Sequence, residues 1–226
     1  MASTEPGWEL CPNEGTQPQS RFDPSKYHLL PPPAPQLISN WSSRAVARLE
    51  HSSESSEGAF ESFIYAWFAF NGWASCCCGD VSDRELIRRM AADRRLQDAF
   101  DGLRADGGPL TDQARAFGAL WPIFQASSVR TSAGAVHTYA EEGRRGLVEH
   151  YLREYPGAPR APNCHFRHPE SVEPDWPHTL RALYRVRNNL FHGAKSAFQP
   201  DDQEVVVAAA AVLVPTVQHF LERAYL

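Results

Sequence analysis

Apolar side chains recur along most of this chain at the spacing of an amphipathic helix, which has about 3.6 residues per turn. The alternation of apolar and polar residues that marks a half-buried strand is missing, and the three valines at 205–207 form too short a run to support a sheet. The pattern therefore predicts an all-α fold, a helical bundle of about seven helices. The predicted helices are 36–50, 57–74, 82–103, 111–124, 138–155, 176–191 and 201–225.

Residues 1–35 do not share this period. They are rich in Pro, Ser and Gln and end in the sequence Pro-Pro-Pro-Ala-Pro, which is typical of polyproline II structure. We therefore divide the chain into a Pro/Ser-rich N-terminal tail or arm, 1–35, and one helical domain, 36–226. The sequence leaves three roles open for the tail: an arm in a dimer, a lid over a cleft, or a disordered segment.

The predicted helix 176–191 carries a charged residue where an apolar one is expected. Each helical residue advances by about 100°, so six apolar side chains fall on one arc about 160° wide, and Arg187 falls near its middle. The six are Leu180, Leu183, Tyr184, Val186, Leu190 and Phe191. A guanidinium in an apolar stripe is costly unless an anion meets it. Either Arg187 pairs with a carboxylate or extends to solvent, or it is placed for an anion such as phosphate.

A histidine follows the same helix. Asn188 and His192 are four residues apart, so they are neighbours on one helical face. On an ideal helix His192 lies about 140° from Arg187, which keeps these two side chains apart. Gly193 comes next and is a natural helix end. We expect the helix to unwind there and bring His192 toward Arg187; alternatively, each side chain meets its counterpart across a two-fold axis.

The predicted helix 57–74 holds a second polar residue in an apolar stripe. Asn71 shares that stripe with four apolar side chains, Phe60, Phe63, Ile64 and Trp67. A buried amide must find hydrogen-bond partners. Asn71 therefore either ties the helix end to a backbone group or orients the side chains of the Arg187 and His192 site.

Local charge adds to this picture. The 226 residues carry a formal net charge of −5, which gives no overall attraction to nucleic acid. Residues 176–200 nevertheless contain no Asp or Glu, while Arg181, Arg185, Arg187 and Lys195 are present. This distribution favours a localised polyanion site, with an ordinary solvated basic face as the alternative for Arg181 and Arg185.

The remaining composition excludes several classes of protein. Five cysteines without a CxxC pair indicate reduced thiols, buried or half-buried at 76–78, and the Cys- and His-containing segment 164–168 matches no zinc-binding spacing. The polar N-terminus shows no secretory signal, and the longest apolar run, 205–214, is about half the ~20 residues of a membrane span. We expect a soluble cytoplasmic protein with no metal, cofactor or membrane contact.

The string YRVRNNLFHGAK at 184–195 contains an Arg-x4-His motif with Asn188 directly after the arginine. Together with the sequence Phe-Ala-Phe-Asn at 68–71, it resembles the motif helix and the aromatic-Asn helix of bacterial members of the HEPN superfamily, the higher eukaryotes and prokaryotes nucleotide-binding domain. The resemblance covers about residues 36–226. It implies a compact HEPN-like helical bundle and a homodimer that brings two motifs together. Many members look like metal-independent endoribonucleases of toxin–antitoxin, abortive-infection and CRISPR-linked systems.

Carried onto this chain, the resemblance makes Arg187 and His192 catalytic and Asn188 a supporting residue. Asn71 and Tyr184 would support the site, and the RNA-binding cations would be Arg181, Arg185 and Lys195. The partners implied are RNA, a second copy of the chain, and an antitoxin or another defence-system protein.

The reaction implied is attack of an RNA 2′-OH on its own 3′-phosphate, which leaves a 2′,3′-cyclic phosphate and a 5′-OH end. The ordinary histidine pKa of about 6.5 suits proton transfer, and an arginine stabilises the developing charge. Some members are silenced by AMPylation of a tyrosine two residues after the histidine, but Ala194 stands there. The alternatives are a non-catalytic HEPN module that binds nucleotide, RNA or protein, and a plain helical interaction protein.

Overall fold

Helices account for almost all of the chain that the structure describes, and no strand occurs in that part. This computed structural model describes residues 22–51, 56–121, 123, 137–138, 142–143, 146–147, 149–150, 174–191 and 200–223. The prediction of an all-α fold is confirmed for these residues. The α-helices whose bounds the structure gives are α1 (Ser25–His28), α2 (Ala34–Glu50), α3 (Ser56–Cys78), α4 (Asp83–Ala92), α5 (Arg94–Arg104), α6 (Pro109–Ala119), α7 (Trp176–Phe191) and α8 (Pro200–Glu222), and most of the predicted helix 138–155 lies outside the described residues.

The long helices α3 and α8 form the middle of the bundle. α3 is apolar on most of its surface, as expected of a helix that is surrounded by others, and it packs against α1, α2, α4 and α8. α8 also contacts α2, α5, α6 and α7. α7 lies against α4, α5 and α8, so the helix that carries the predicted site rests on three neighbours.

Trp176, the first residue of α7, joins several of these helices. Its side chain is 1% exposed, and its ring centroid lies 6.3 Å from that of Phe70, 5.5 Å from Phe100 and 5.1 Å from Phe220. Its Nε1–H donates to the carbonyl of Met90 at 3.0 Å. Met90 belongs to the last turn of α4, where carbonyls have no partner within the helix. One buried indole therefore satisfies the end of α4 and fills the space between α3, α5 and α8.

The prediction of a single helix over 82–103 was wrong, because the helix is interrupted at Asp93. The backbone of Asp93 is extended, with φ −77° and ψ 120°, and its carboxylate accepts the N–H of Arg95 at 3.0 Å. Asp93 is therefore the N-cap of α5. The side chain of Gln97 donates to the carbonyl of Ala91 at 3.0 Å, which supplies a partner for another carbonyl at the end of α4.

The packed part of the chain begins before the predicted domain boundary at residue 36. Phe22 is 4% exposed and Tyr27 is 8% exposed, and both belong to the hydrophobic core. The guanidinium of Arg95 donates to the carbonyl of Phe22 at 2.9 Å and lies 5.0 Å from the centroid of its ring. The Pro- and Ser-rich composition obscured these two aromatic anchors. Residues 1–21 lie outside the described part of the chain.

The thiols at 76–78 are buried or half-buried and not disulfide-bonded, as predicted. Burial raises the pKa of Cys78 to about 11, so this thiol stays protonated near pH 7.

Within the described residues, one stretch, Asp202–Glu222 of α8, is long and apolar enough to cross a membrane, and 56% of its apolar window is buried inside the fold. The central helix of a folded domain has the same composition, because its side chains are covered by neighbouring helices. The fully buried Val205, Ala209 and Leu213 show this packing in α8.

The cap at Asp93 predicts a measurable loss of stability. Replacing a helix N-cap by Ala costs about 0.5–2 kcal/mol, and Asp93→Ala also removes the ion pair with Arg95 at 2.9 Å. We expect urea denaturation to report a free energy of unfolding lower by about 1–3 kcal/mol. Asp98→Ala is the control, since Asp98 lies on the same helix and its 3.9 Å pair with Arg94 is exposed to solvent. A loss no larger for Asp93→Ala than for the control would contradict the assignment.

The hydrogen bonds of Glu85 in the first turns of α4 predict that the free energy of unfolding depends on pH. Ser82 caps the helix as predicted, with its Oγ accepting the N–H of Glu85 at 3.3 Å. The Glu85 carboxylate accepts from Arg88 at 2.6 Å and from Arg89 at 2.7 Å. Hydrogen bonds from these two guanidinium groups, first from Arg88 and then from Arg89, lower the pKa of Glu85 from 4.5 to about 2.

The Glu85 carboxylate is thus protonated at a higher pH in the unfolded chain than in the folded protein. The stabilisation is complete above a pH of about 4.5 and is lost as the pH falls toward about 2. In urea denaturation at several pH values, Glu85→Gln should lose less stability over that range than the wild type. Arg88→Gln should reduce the acid sensitivity in the same direction. Identical pH profiles for all three proteins would show that the network does not contribute.

Candidate functional site

Arg187 lies at the border of the buried face of α7 and not in the middle of it. The side chain is 23% exposed, and Tyr184 and Phe191, which were counted in the apolar arc, are half-buried and 46% exposed respectively. The buried polar residues of this helix are Thr179, at 0% exposure, and Asn189, at 3%. The predicted arc was placed too far toward Tyr184 and Phe191, because the sequence does not show which apolar residues the neighbouring helices cover.

Three groups surround the guanidinium of Arg187. Its Nη2 lies 3.2 Å from Oδ2 of Asp83, and its Nη1 donates to Oδ1 of Asn188 at 2.9 Å. Its Cζ lies 4.8 Å from the centroid of the Phe191 ring, a cation–π distance. Nε is buried without a hydrogen-bond partner among the described residues. The guanidinium is thus held in position and partly charge-compensated, but it keeps donor capacity in reserve.

The carboxylate of Asp83 reaches Arg187 because α4 and α7 run antiparallel. The hydrogen bond from Trp176 to Met90 joins the start of α7 to the end of α4, and the ion pair joins the end of α7 to the start of α4. Sequence reasoning missed Asp83. It lies about a hundred residues away from Arg187 along the chain, and in the first turn of a helix an aspartate has a sufficient local explanation.

Asn188 has a role that the helical spacing did not predict. The spacing pairs Asn188 with His192, whereas the structure shows its amide oxygen accepting from the adjacent Arg187. Asn188 therefore orients the guanidinium. His192, Gly193 and Lys195 lie outside the described residues, which end at Phe191 in this part of the chain, so the approach of His192 to Arg187 stays a prediction.

The two residues expected to support the site lie on different helices, Asn71 on α3 and Tyr184 on α7. The ring of Tyr184 stacks on that of Trp67, with centroids 6.0 Å apart. Asn71 is half-buried, and no hydrogen bond or ion pair joins it to Arg187 within the described part of the chain. The fully buried polar residue of α3 is Ser62, whose Oγ donates to the carbonyl of Ala45 at 2.7 Å.

Arg181 and Arg185 are half-buried, so a fully solvated basic face does not describe them. Asp175, just before α7, accepts from the ring of His178 at 2.6 Å. Burial raises the pKa of Asp175, but the hydrogen bonds and charge of His178 outweigh it and hold that pKa below its ordinary value. Two carboxylates, Asp83 and Asp175, thus flank a helix that itself has none.

No cluster of three metal-binding side chains occurs in the part of the chain that the structure describes. The predicted loop at 164–168 lies outside that part.

Comparison of the chain with protein-family models, with curated proteins and with solved structures finds no match.

The Asp83–Arg187 pair predicts weak coupling, because Asp83 is 46% exposed and Arg187 is 23% exposed. Solvent screens such a pair, and exposed pairs contribute about 0–1 kcal/mol. A double-mutant cycle with Asp83→Ala, Arg187→Ala and the double variant, measured by urea denaturation, should give a coupling energy below about 1 kcal/mol. A coupling of about 3 kcal/mol or more would identify a buried structural pair, and Arg187 would then not be available to a ligand.

Proposed function

We propose that this chain is a metal-independent endoribonuclease of HEPN type, with its active site at the end of α7. Arg187 stabilises the charge on the scissile phosphate, His192 transfers the proton, and Asn188 holds the arginine. Arg181, Arg185 and Lys195 contribute positive charge along the same helix and the segment that follows it.

The observation that carries the proposal is the setting of Arg187. Its guanidinium is fixed by Asn188 and by the ring of Phe191, and the side chain remains 23% exposed to solvent. An arginine fixed in this way is suited to a phosphate, since its planar donors match phosphate oxygens in pairs. The residue after Phe191 in the sequence is His192, whose imidazole is suited to proton transfer.

The chemistry balances without a cofactor. The RNA 2′-oxygen loses its proton to a base and forms a bond to the adjacent phosphorus, and the bond from phosphorus to the 5′-oxygen breaks. The leaving oxygen takes up a proton, which gives a 2′,3′-cyclic phosphate and a 5′-OH end. Arg187 lowers the barrier by stabilising the extra negative charge on the phosphorane oxygens.

The reaction removes a proton from the 2′-oxygen and delivers one to the leaving 5′-oxygen, so two histidines can share the work. A homodimer that brings two copies of the motif together supplies both histidines. We include this composite site in the proposal. We also propose a cytoplasmic role in toxin–antitoxin or antiphage defence, with an antitoxin or another defence protein as the neutralising partner.

A second candidate function is a non-catalytic HEPN module that binds nucleotide, RNA or a protein. The ion pair with Asp83 favours it, because the charge of Arg187 is already compensated without any ligand. Such a module would bind RNA or a nucleotide without cutting it.

Digestion of RNA in the presence of a chelator tests the proposal. The wild type should cut single-stranded RNA and leave 2′,3′-cyclic phosphate ends. His192→Ala should reduce the rate by about 100-fold or more, and Arg187→Ala by about 100- to 1000-fold. Gel analysis gives the rate, and phosphatase resistance of the new 3′ ends identifies the cyclic product.

The control is Arg94→Ala, because the side chain of Arg94 is 89% exposed and far from α7 in sequence. This variant should cut RNA as fast as the wild type. Intact RNA with the wild type, or equal cutting by His192→Ala, would rule out the nuclease. Binding of RNA without cleavage would instead support the non-catalytic module.

A further inference from the structure

An exposed row of aromatic rings lies beside Arg187. We name Trp41, Phe68 and Phe191 the aromatic platform; they come from α2, α3 and α7 respectively. Phe68 is 38% exposed and Phe191 is 46% exposed, while Trp41 is half-buried. The centroids of Phe68 and Phe191 are 6.0 Å apart with the ring planes at 68°, and those of Trp41 and Phe68 are 5.4 Å apart at 69°, so each ring meets its neighbour edge to face and offers a separate face for stacking. Phenylalanine side chains that remain this exposed in adjacent positions are typical of a binding surface.

A guanidinium stands at each end of the platform. Arg187 lies 4.8 Å from the ring centroid of Phe191, and Arg44 lies 5.5 Å from the ring centroid of Trp41. The helical turns that carry the three rings, 37–45, 64–72 and 187–191, contain no Asp or Glu. The platform therefore combines apolar rings with two guanidinium groups, of which that of Arg187 is partly compensated by Asp83, whereas the protein as a whole is negative.

We propose that the aromatic platform binds the unpaired bases of single-stranded RNA. Aromatic side chains flanked by cations are the elements with which proteins hold single strands, because every base has a face to stack and every linkage carries a negative charge. A paired base is stacked within its duplex and does not present that face. The platform therefore selects single-stranded RNA over duplex RNA.

The link to cleavage rests on the function proposed above. A base stacked on Phe191 places its adjoining phosphate beside the guanidinium that already contacts this ring. Phe191 and Phe68 then act as positioning residues that choose the bond to be cut, next to an unpaired base.

Binding can be measured separately from cleavage with a 2′-O-methyl oligoribonucleotide, which keeps the RNA sugar but lacks the attacking hydroxyl. Fluorescence anisotropy should show tighter binding of the single strand than of its duplex. A matched strand with abasic positions should bind more weakly, since it keeps the phosphates and loses the bases. Phe68→Ala and Phe191→Ala should each weaken binding of the single strand by about 5- to 100-fold.

Two variants serve as controls. Phe191→Trp keeps a stacking face and should retain the affinity that Phe191→Ala loses. Leu29→Ala truncates a side chain that is 79% exposed and lies on none of the platform helices, and it should bind as the wild type does.

Unchanged affinity in both phenylalanine variants, or equal affinity for the abasic strand, would overturn the platform. Sedimentation of the same variants tests a protein partner: if they turn a dimer into a monomer and leave RNA affinity unchanged, the surface is a protein interface and the proposal fails. Base-dependent binding by a wild type that never cuts RNA would reject the nuclease and retain the platform. Cleavage that depends on His192 but not on Phe68 or Phe191 would retain the nuclease and reject the platform.

Discussion

Trp176 is the residue on which the alignment of α4 and α7 depends, because its buried indole N–H finds an acceptor on the other helix. Its donation to the carbonyl of Met90 joins the start of one helix to the end of the other, while its ring fills the space between Phe70, Phe100 and Phe220. Arg187 is eleven residues further along α7, about 16 Å away at the rise of an α-helix. The position of the candidate site relative to α4 thus follows from a contact at the opposite end of its helix.

At that site the neighbours of Arg187 differ in their effect: one neutralises its charge, and the others only orient its guanidinium. Asp83 compensates its charge and makes partial burial tolerable, so the helix end folds without a ligand. The same contact competes with any phosphate that approaches, since both use the guanidinium donors. Asn188 also occupies one donor, Nη1, but a neutral amide leaves the charge of the guanidinium in place, and the ring of Phe191 uses no donor. The balance between these neighbours decides how available Arg187 is.

Local sequence features predicted much of this fold. The apolar period gave the bounds of α7, and Ser82 marked the start of α4, because both depend on nearby residues. The break at Asp93 was missed since the apolar period continues across it. Asp83 owes its role to a helix that is distant in sequence, which periodicity does not reveal. The anchors Phe22 and Tyr27 stand in a Pro- and Ser-rich context that resembles a tail. For the site, Arg187 was recognised as unusual, its carboxylate partner was not, and the position of His192 stays a prediction.

The partly exposed ion pair between Asp83 and Arg187 makes the site respond to ionic strength in two opposing ways. Added salt weakens the attraction between these two side chains, because the Debye length falls to about 8 Å at physiological ionic strength. The guanidinium then becomes easier for another anion to engage. Salt also weakens the attraction of any polyanion to the surrounding cations, through loss of the counterion-release gain. An arginine with a carboxylate neighbour is therefore less salt-sensitive as a phosphate contact than a free surface arginine, because part of each effect cancels the other.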